Sequence, residues 1–290
     1  MKYKSNSMLA LISPCCEGEG ILQQIRFFQE TLRMRVFLFT ILNPISFFSR
    51  FFNTRKAIEH KAEARNHFKH FVEKAFRREI PDDYILRLHT GNKVSTLVDE
   101  SKKGGYEFIV IDKSKDNYPG ALHKNEIDKF ISRSFCPVLT INRNYPVTGI
   151  QKIVIPIDIS QATKKRLYWA THFAKKYNAE VQIVSALNAD IVETKSLAFS
   201  NAEKIKNMLT GRGVNCEIVI LKVNQQESYK VILNYIEEQK PDLVIIRTHQ
   251  ESIFTEARIG KFVSEIVHGC KMPVFAVGYS LHPQPVELES

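Results

Sequence analysis

Residues 107–111 read EFIVI, and residues 242–246 read DLVII about 135 positions further along the chain. Each stretch is one acidic residue followed by four apolar residues, most of them β-branched, which is typical of a short buried strand. A second pair of matching segments recurs at nearly the same spacing, because Cys136-Pro137-Val138 corresponds to Met272-Pro273-Val274. Two matches at one spacing indicate that the chain is an internal duplication.

Strands alternate with helices around these stretches in both halves of the sequence. The apolar runs of the second half lie at residues 152–158, 181–186, 216–223, 242–246 and 274–277. Those of the first half lie at residues 9–13, 36–42, 84–89, 108–112 and 137–141. Short, nearly continuous apolar runs separated by helical periodicity predict parallel strands that are covered by helices on both faces. The fold class expected is therefore α/β, with two doubly wound five-stranded parallel sheets.

The predicted linker between the two halves is residues 142–149, in which Pro146 and Gly149 favour turns. The domains are accordingly expected at residues 1–143 and 150–280. Each is long enough to bury a core of its own.

Composition indicates a soluble protein, since 44% of the 290 residues are apolar and 25% are charged. No segment is expected to cross a membrane, because the longest apolar stretch, residues 36–52, is short and is interrupted by Asn43, Pro44 and Arg50. No signal peptide is expected either. The five cysteines include no CxxC pair, which favours free thiols in a reducing compartment. We therefore predict a cytoplasmic location.

The net charge of +10 belongs mainly to the first half, where residues 1–145 carry 24 basic against 16 acidic side chains. Much of it lies on a predicted helix at residues 55–78, where glutamates are interspersed among the cations. Such a mixed face is typical of a solvated helix, and contact with nucleic acid or an anionic membrane is the weaker alternative, so nucleic-acid binding is not the leading prediction. His60, His67 and His70 lie on the same helix without a further ligand in register, so no metal site is predicted.

Several fragments resemble the universal stress protein family, and they recur in both halves. In the second half these are residues 153–160, residues 241–246, Gly260 and residues 272–277, and in the first half residues 90–92 and 135–138. The resemblance implies an adenine nucleotide alpha hydrolase-like fold with strand order 3-2-1-4-5 in each half, related as a pseudo-two-fold tandem. It also implies that the two fifth strands pair within one chain, as an intrachain pseudo-dimer, and it leaves a homodimer open.

The family's nucleotide-binding loop, which follows strand four, has the form Gly-x-x-Gly, nine residues, then Gly-Ser or Gly-Thr. Glycines let backbone N–H groups approach phosphates, and the last pair opens a helix whose N-terminus favours anions. Only the last glycine remains in this chain. The candidate ATP crevice implied by the resemblance consists of Asp158, which ends strand one, and of Arg247, Thr248, His249, Gly260 and Lys261. In the first half Asp112-Lys113-Ser114-Lys115 replaces the glycines, and Ser13-Pro14 stands in place of the aspartate.

These departures from the motif favour a non-catalytic stress-response protein that acts through binding, without catalytic residues and with no firm cofactor. ATP in the second domain is the cofactor that stays open, since Arg247 and Lys261 could contact phosphate as cations. Two alternatives stay open as well. One is an ATP-binding stress regulator with slow hydrolysis, and the other is the cytosolic regulatory part of a cation/proton antiporter. The sequence leaves the protein partner unidentified.

Overall fold

The computed structural model describes residues 6–15, 18–42, 54–77, 79–103, 105–114, 118, 120–157, 164–224, 226–248 and 259–278. The chain forms two compact units that divide after Pro146. Within the described residues, no helix is both long enough and apolar enough to cross a membrane.

The first unit alternates strands with helices, as the apolar runs predict. Its elements are β1 (Ser7–Leu11), α1 (Gly18–Leu32), β2 (Arg35–Leu42), α2 (Thr54–Phe76), β3 (Tyr84–Thr90), α3 (Lys93–Lys103), β4 (Phe108–Asp112), α4 (Lys124–Arg133) and β5 (Val138–Ile141). The strands are parallel and lie in the order β3-β2-β1-β4-β5. Every residue of β1, β4 and β5 is buried, because helices cover both faces of the sheet.

The second unit repeats this arrangement. Its elements are β6 (Lys152–Ile157), α5 (Lys164–Tyr177), β7 (Glu180–Asn188), a short 3₁₀ turn (Glu193–Lys195), α6 (Leu197–Thr210), β8 (Cys216–Val223), α7 (Ser228–Gln239), β9 (Leu243–Arg247), α8 (Lys261–Gly269) and β10 (Val274–Val277). The parallel strands lie in the order β8-β7-β6-β9-β10. Counted along each unit, both orders are 3-2-1-4-5, so the predicted α/β class and the predicted strand order are confirmed; the division into two separate five-stranded sheets is not. The expected pairing of the two fifth strands stays a prediction.

Each unit has an aromatic core of its own. In the second unit Phe173 of α5 and Phe275 of β10 are fully buried, with ring centroids 5.1 Å apart. Trp169 lies 4.9 Å from Phe275. In the first unit Phe28 and Phe108 are fully buried. Because large buried rings dominate core stability, these contacts hold the helices against the sheets.

Helix α1 begins earlier than its apolar pattern predicts. The pattern indicates a start near Ile21, but the helix begins at Gly18, whose N–H donates to the Cys15 carbonyl at 2.9 Å. A Cβ at position 18 would lie 2.3 Å from the Ser13 carbonyl oxygen. Glycine therefore permits the close approach of the helix start to the end of β1.

Candidate functional site

The carboxyl ends of β6 and β9 form the edge at which an open parallel sheet of this topology binds its ligands. Strand β6 ends at Ile157 and β9 ends at Arg247. Of the six candidate residues, Arg247, Thr248, Gly260 and Lys261 are described by the structure. Asp158 and His249 lie outside the described residues.

Arg247 and Thr248 are tied into the sheet rather than presented as a loop. Arg247 is the last residue of β9 and pairs in register with Val277 of β10, and its exposed fraction is 8%. The N–H of Thr248 donates to the Val277 carbonyl at 3.1 Å. Since that N–H is already bonded, it is not available to a phosphate in the way that the family's glycine loop requires.

Gly260 is the N-cap of α8, and Lys261 is the first residue of that helix. The Lys261 Nζ donates to Glu227 Oε1 at 2.5 Å and lies 5.4 Å from the centre of the Tyr229 ring. Glu227 Oε2 accepts a second hydrogen bond from the Tyr229 hydroxyl at 2.6 Å. The cation predicted to meet phosphate is therefore held by a carboxylate from the start of α7.

Glu227 was not a predicted site residue. Its sequence signal is an acidic residue immediately before a helix that follows a strand. Loops of this kind converge at the carboxyl ends of parallel strands, where their side chains can meet. That signal is weak, because acidic residues are common at helix starts for capping and dipole reasons alone.

The pKa of each group in this ion pair is shifted in the direction that favours the charged form. The hydrogen bond from Lys261, helped by the one from Tyr229, lowers the pKa of Glu227 to about 2. The same hydrogen bond raises the pKa of Lys261 above its ordinary value. The pair is therefore ionised throughout the physiological range.

This shift predicts a pH dependence of stability. A carboxylate whose pKa is lowered in the folded state stabilises it above its unfolded pKa, roughly 4.3, and loses that contribution as the pH falls toward 2. The melting temperature of the wild type should exceed that of Glu227→Gln by a constant margin from pH 7 to about pH 5. The margin should then disappear between pH 5 and 2. Glu238→Gln, an exposed position on the same helix, is the control, and a margin of equal size there would contradict the assignment.

The corresponding edge of the first unit is occupied by the chain's own side chains. Asp112, the last residue of β4, is buried and accepts three hydrogen bonds. The donors are the Ser114 N–H at 2.8 Å, the Ser114 hydroxyl at 2.6 Å and the Tyr118 hydroxyl at 2.7 Å. Ser114 and Tyr118 are thus hydrogen-bonded to the end of the strand that they follow.

Tyr118 and Gly120 complete this packing. The Arg143 guanidinium lies over the Tyr118 ring, 4.7 Å from its centre. Gly120 adopts a φ of +89°, and a Cβ there would lie 2.1 Å from the Ser13 hydroxyl oxygen. Position 120 therefore needs glycine both for its backbone conformation and for its contact with the end of β1. We call the set Asp112, Ser114, Tyr118 and Arg143 the β4 cluster.

The described residues contain no group of three or more His, Cys, Asp or Glu side chains that could hold a metal ion.

Two units of parallel strands and covering helices, each with the strand order 3-2-1-4-5, define the class of fold, a doubly wound α/β protein. Residues 149–278, which lie in the second unit, match the Universal stress protein family. No curated protein matches the chain in sequence.

Solved structures extend the likeness of fold to the whole chain. A universal stress protein from Archaeoglobus fulgidus DSM 4304 is 16% identical, with a TM-score of 0.69 over 95% of this chain and 99% of that one. A putative universal stress protein from Pseudomonas aeruginosa UCBPP-PA14 is 15% identical, with a TM-score of 0.61 over 94% and 93% of the two chains. At this level of identity the likeness establishes the fold.

Proposed function

We propose that this protein is a stress-response protein that acts by binding a macromolecular partner, that it does not hydrolyse nucleotides, and that ATP is not its resident cofactor. The observation that carries the proposal is the contact between Glu227 and Lys261 at the N-terminus of α8. This helix start is the position at which the fold would otherwise receive phosphate.

A triphosphate entering this crevice would meet three obstacles. The Lys261 charge is already compensated by Glu227. The Glu227 carboxylate would repel the phosphate oxygens, since like charges at short range oppose each other. The Thr248 N–H donates within the sheet. Among the described residues of the crevice, the helix N-terminus and the largely buried Arg247 would then be left to supply the attraction.

In the first unit the β4 cluster supports the same proposal. Its carboxylate, Asp112, uses its oxygens to hold Ser114 and Tyr118 at the place where a phosphate would need open backbone. An anionic ligand there would also face the Asp112 charge. Absence of a Walker-type lysine motif from the sequence agrees with a role in binding rather than phosphoryl transfer.

Calorimetric titration of ATP into the full chain tests the proposal. The wild type should show no saturable heat up to roughly 1 mM ATP, and ATP at that concentration should leave its melting temperature unchanged. Glu227→Gln should bind ATP more tightly than the wild type, because Lys261 then keeps its charge for a phosphate.

The matched control is Glu238→Gln, which also removes one acidic charge from α7 and should behave as the wild type does. One-to-one ATP binding by the wild type that Asp158→Ala abolishes would contradict the proposal. Equal gains in affinity for both glutamine variants would show that net charge, and not the Lys261 contact, decides binding.

A further inference from the structure

Strand β3 is the outermost strand of the first unit. Among the described strands it pairs only with β2, in register from Tyr84 to Thr90. Its other edge therefore carries, over seven residues, a row of backbone N–H and C=O groups that no described strand pairs with. An edge of this kind is a template on which another extended segment can pair.

The two faces of β3 pack against different helices. Tyr84 contacts Phe76 of α2, with ring centroids 4.8 Å apart, so the even-numbered residues face α2. Arg87 bonds Glu100 of α3 at 2.6 Å, so the odd-numbered residues face α3. This division follows from the alternation of side chains along a strand.

A groove of about 500 Å³ is lined by residues from both of these faces. Leu86 and Leu88 line it from the α2 side, and Arg87 and His89 line it from the α3 side. Because successive side chains of a strand point to opposite faces, one groove can reach both sets only around the free edge of β3. The groove therefore runs along that edge, between α2 and α3.

The rim of this groove is positively charged. Arg65 and Lys69 of α2 are exposed, and Lys103 of α3 and Arg87 of β3 lie opposite them. The acidic residue among the lining side chains is Glu100, which is 1% exposed and is already paired with Arg87 and Lys103. Glu73 lies 3.6 Å from Lys69 and compensates part of its charge. The groove along the β3 edge therefore has a positively charged rim, and the half-buried side chains of Leu86 and Leu88 form its floor.

We propose that the edge of β3 is a docking site for an extended acidic peptide segment of a partner protein, which adds to the sheet as a further strand. Backbone pairing with β3 would supply affinity, and alternate side chains would reach the two sides of the groove. Apolar side chains suit the side of Leu86 and Leu88, and acidic ones suit the rim cations. A peptide in which apolar and acidic residues alternate would therefore fit this groove.

The same cations would attract nucleic acid, but the described residues that line the groove offer little aromatic surface on which bases could stack. Apart from His89, the aromatic residue that lines the groove is Phe68. Its side chain is 1% exposed and therefore offers no ring face on which a base could stack. A peptide strand, in contrast, uses the unpaired backbone edge that is already present.

The probe for this site is a ten-residue fluorescent peptide of alternating valine and glutamate, titrated into the full chain and followed by anisotropy. We expect saturable binding that weakens between 50 and 500 mM salt. Arg65→Glu with Lys69→Glu should weaken binding at least about tenfold, because two attractions become repulsions. The matched control is Lys175→Glu with Lys176→Glu on α5, which changes the net charge equally at exposed positions and should leave the affinity within about twofold.

A second peptide separates strand pairing from charge attraction. Methylation of alternate backbone nitrogens keeps every side chain but removes the donors that a strand needs. This peptide should fail to bind, and the unmodified one should protect amides of β3 from hydrogen exchange. Equal binding of the methylated peptide, or an equal loss in the α5 control, would overturn the proposal. Equally tight binding of a single-stranded RNA of the same charge, lost in the α2 variant, would overturn it in favour of nucleic acid.

This inference rests on the proposed binding role but can fail separately from it. The calorimetric titration reports on the crevice of the second unit, whereas the peptide reports on β3 of the first. ATP binding without loss of peptide binding would contradict the proposed function alone. If the protein bound neither ATP nor the peptide, the result would contradict the docking site but not the proposed function.

Discussion

Glu100→Gln is expected to lower the free energy of unfolding by about 2–3 kcal/mol. The Glu100 carboxylate is 1% exposed and accepts hydrogen bonds from Arg87 at 2.6 Å, Lys103 at 2.5 Å and the Tyr106 hydroxyl at 2.8 Å. Glutamine keeps the shape but removes the charge, and its amide group would donate toward cations. Arg87 and Lys103 both retain contact with water. We therefore expect a smaller loss of stability than removal of one partner from a fully buried ion pair causes.

Urea denaturation of both proteins, followed by circular dichroism, measures this difference. Glu30→Gln is the control, because Glu30 pairs with Arg26 at 2.6 Å but is 56% exposed. Exposed ion pairs contribute little to stability, so Glu30→Gln should lower the free energy of unfolding by less than about 0.5 kcal/mol. An equal effect of the two substitutions would show that burial of Glu100 has no bearing on its contribution.

The effect of Glu100→Gln should also depend on pH. Burial favours a raised pKa for Glu100, but the hydrogen bonds from Lys103 and Tyr106 outweigh it, so its pKa lies below the ordinary value. A lowered pKa stabilises the folded state above the unfolded pKa, and that stabilisation is lost as the pH falls through the folded pKa. The difference between wild type and variant should therefore be constant near neutral pH and shrink below about pH 4.

Asp112→Ala is expected to cost about 3 kcal/mol, since it leaves three donors of the β4 cluster without their acceptor at roughly 1 kcal/mol each. Burial, together with the neighbouring Asp112 charge, raises the pKa of Tyr118, so its phenol stays protonated and remains a donor. Loss of the carboxylate should loosen the segment after β4, which Asp112 holds through Ser114 and Tyr118.

Denaturation of Tyr118→Phe supplies the comparison. This variant keeps the ring under Arg143 and removes one of the three hydrogen bonds, so it should cost about 1 kcal/mol. Hydrogen exchange at the Ser114 amide should accelerate in Asp112→Ala and change little in Tyr118→Phe. If the two variants were equally unstable, the hydrogen bonds from Ser114 to Asp112 would contribute nothing to stability. Only the hydrogen bond from Tyr118 would then account for the effect of Asp112→Ala.

The repeated α/β fold could be predicted from sequence because its signal is local. Residues 108–112 and 243–247 are apolar over nearly their whole length, and a parallel strand covered on both faces needs no other pattern. The order of the strands followed from the resemblance to a known family and agrees with the structure in both units. Element ends were less predictable, as the early start of α1 at Gly18 shows.

The partners of the site residues could not be predicted in this way. Lys261 was recognised as a cation at a helix start, but Glu227, which neutralises it, lies 34 residues earlier and is set beside it only by the convergence of two βα connections. Arg143 meets Ser114 and the Tyr118 ring for the same reason, because the sheet brings together segments that lie far apart in the chain.

By itself, the sequence determined that one α/β unit occurs twice and that residues with side chains stand where the family that it resembles has a glycine loop. Periodicity and glycine content are properties of short segments, which makes them readable along the chain. Tertiary structure alone decided that Lys261 is paired, that the β4 cluster occupies the first crevice, and that β3 is an edge with a cationic rim. Each depends on which distant segments the parallel sheet brings together, and that choice is made by the packing of the whole unit.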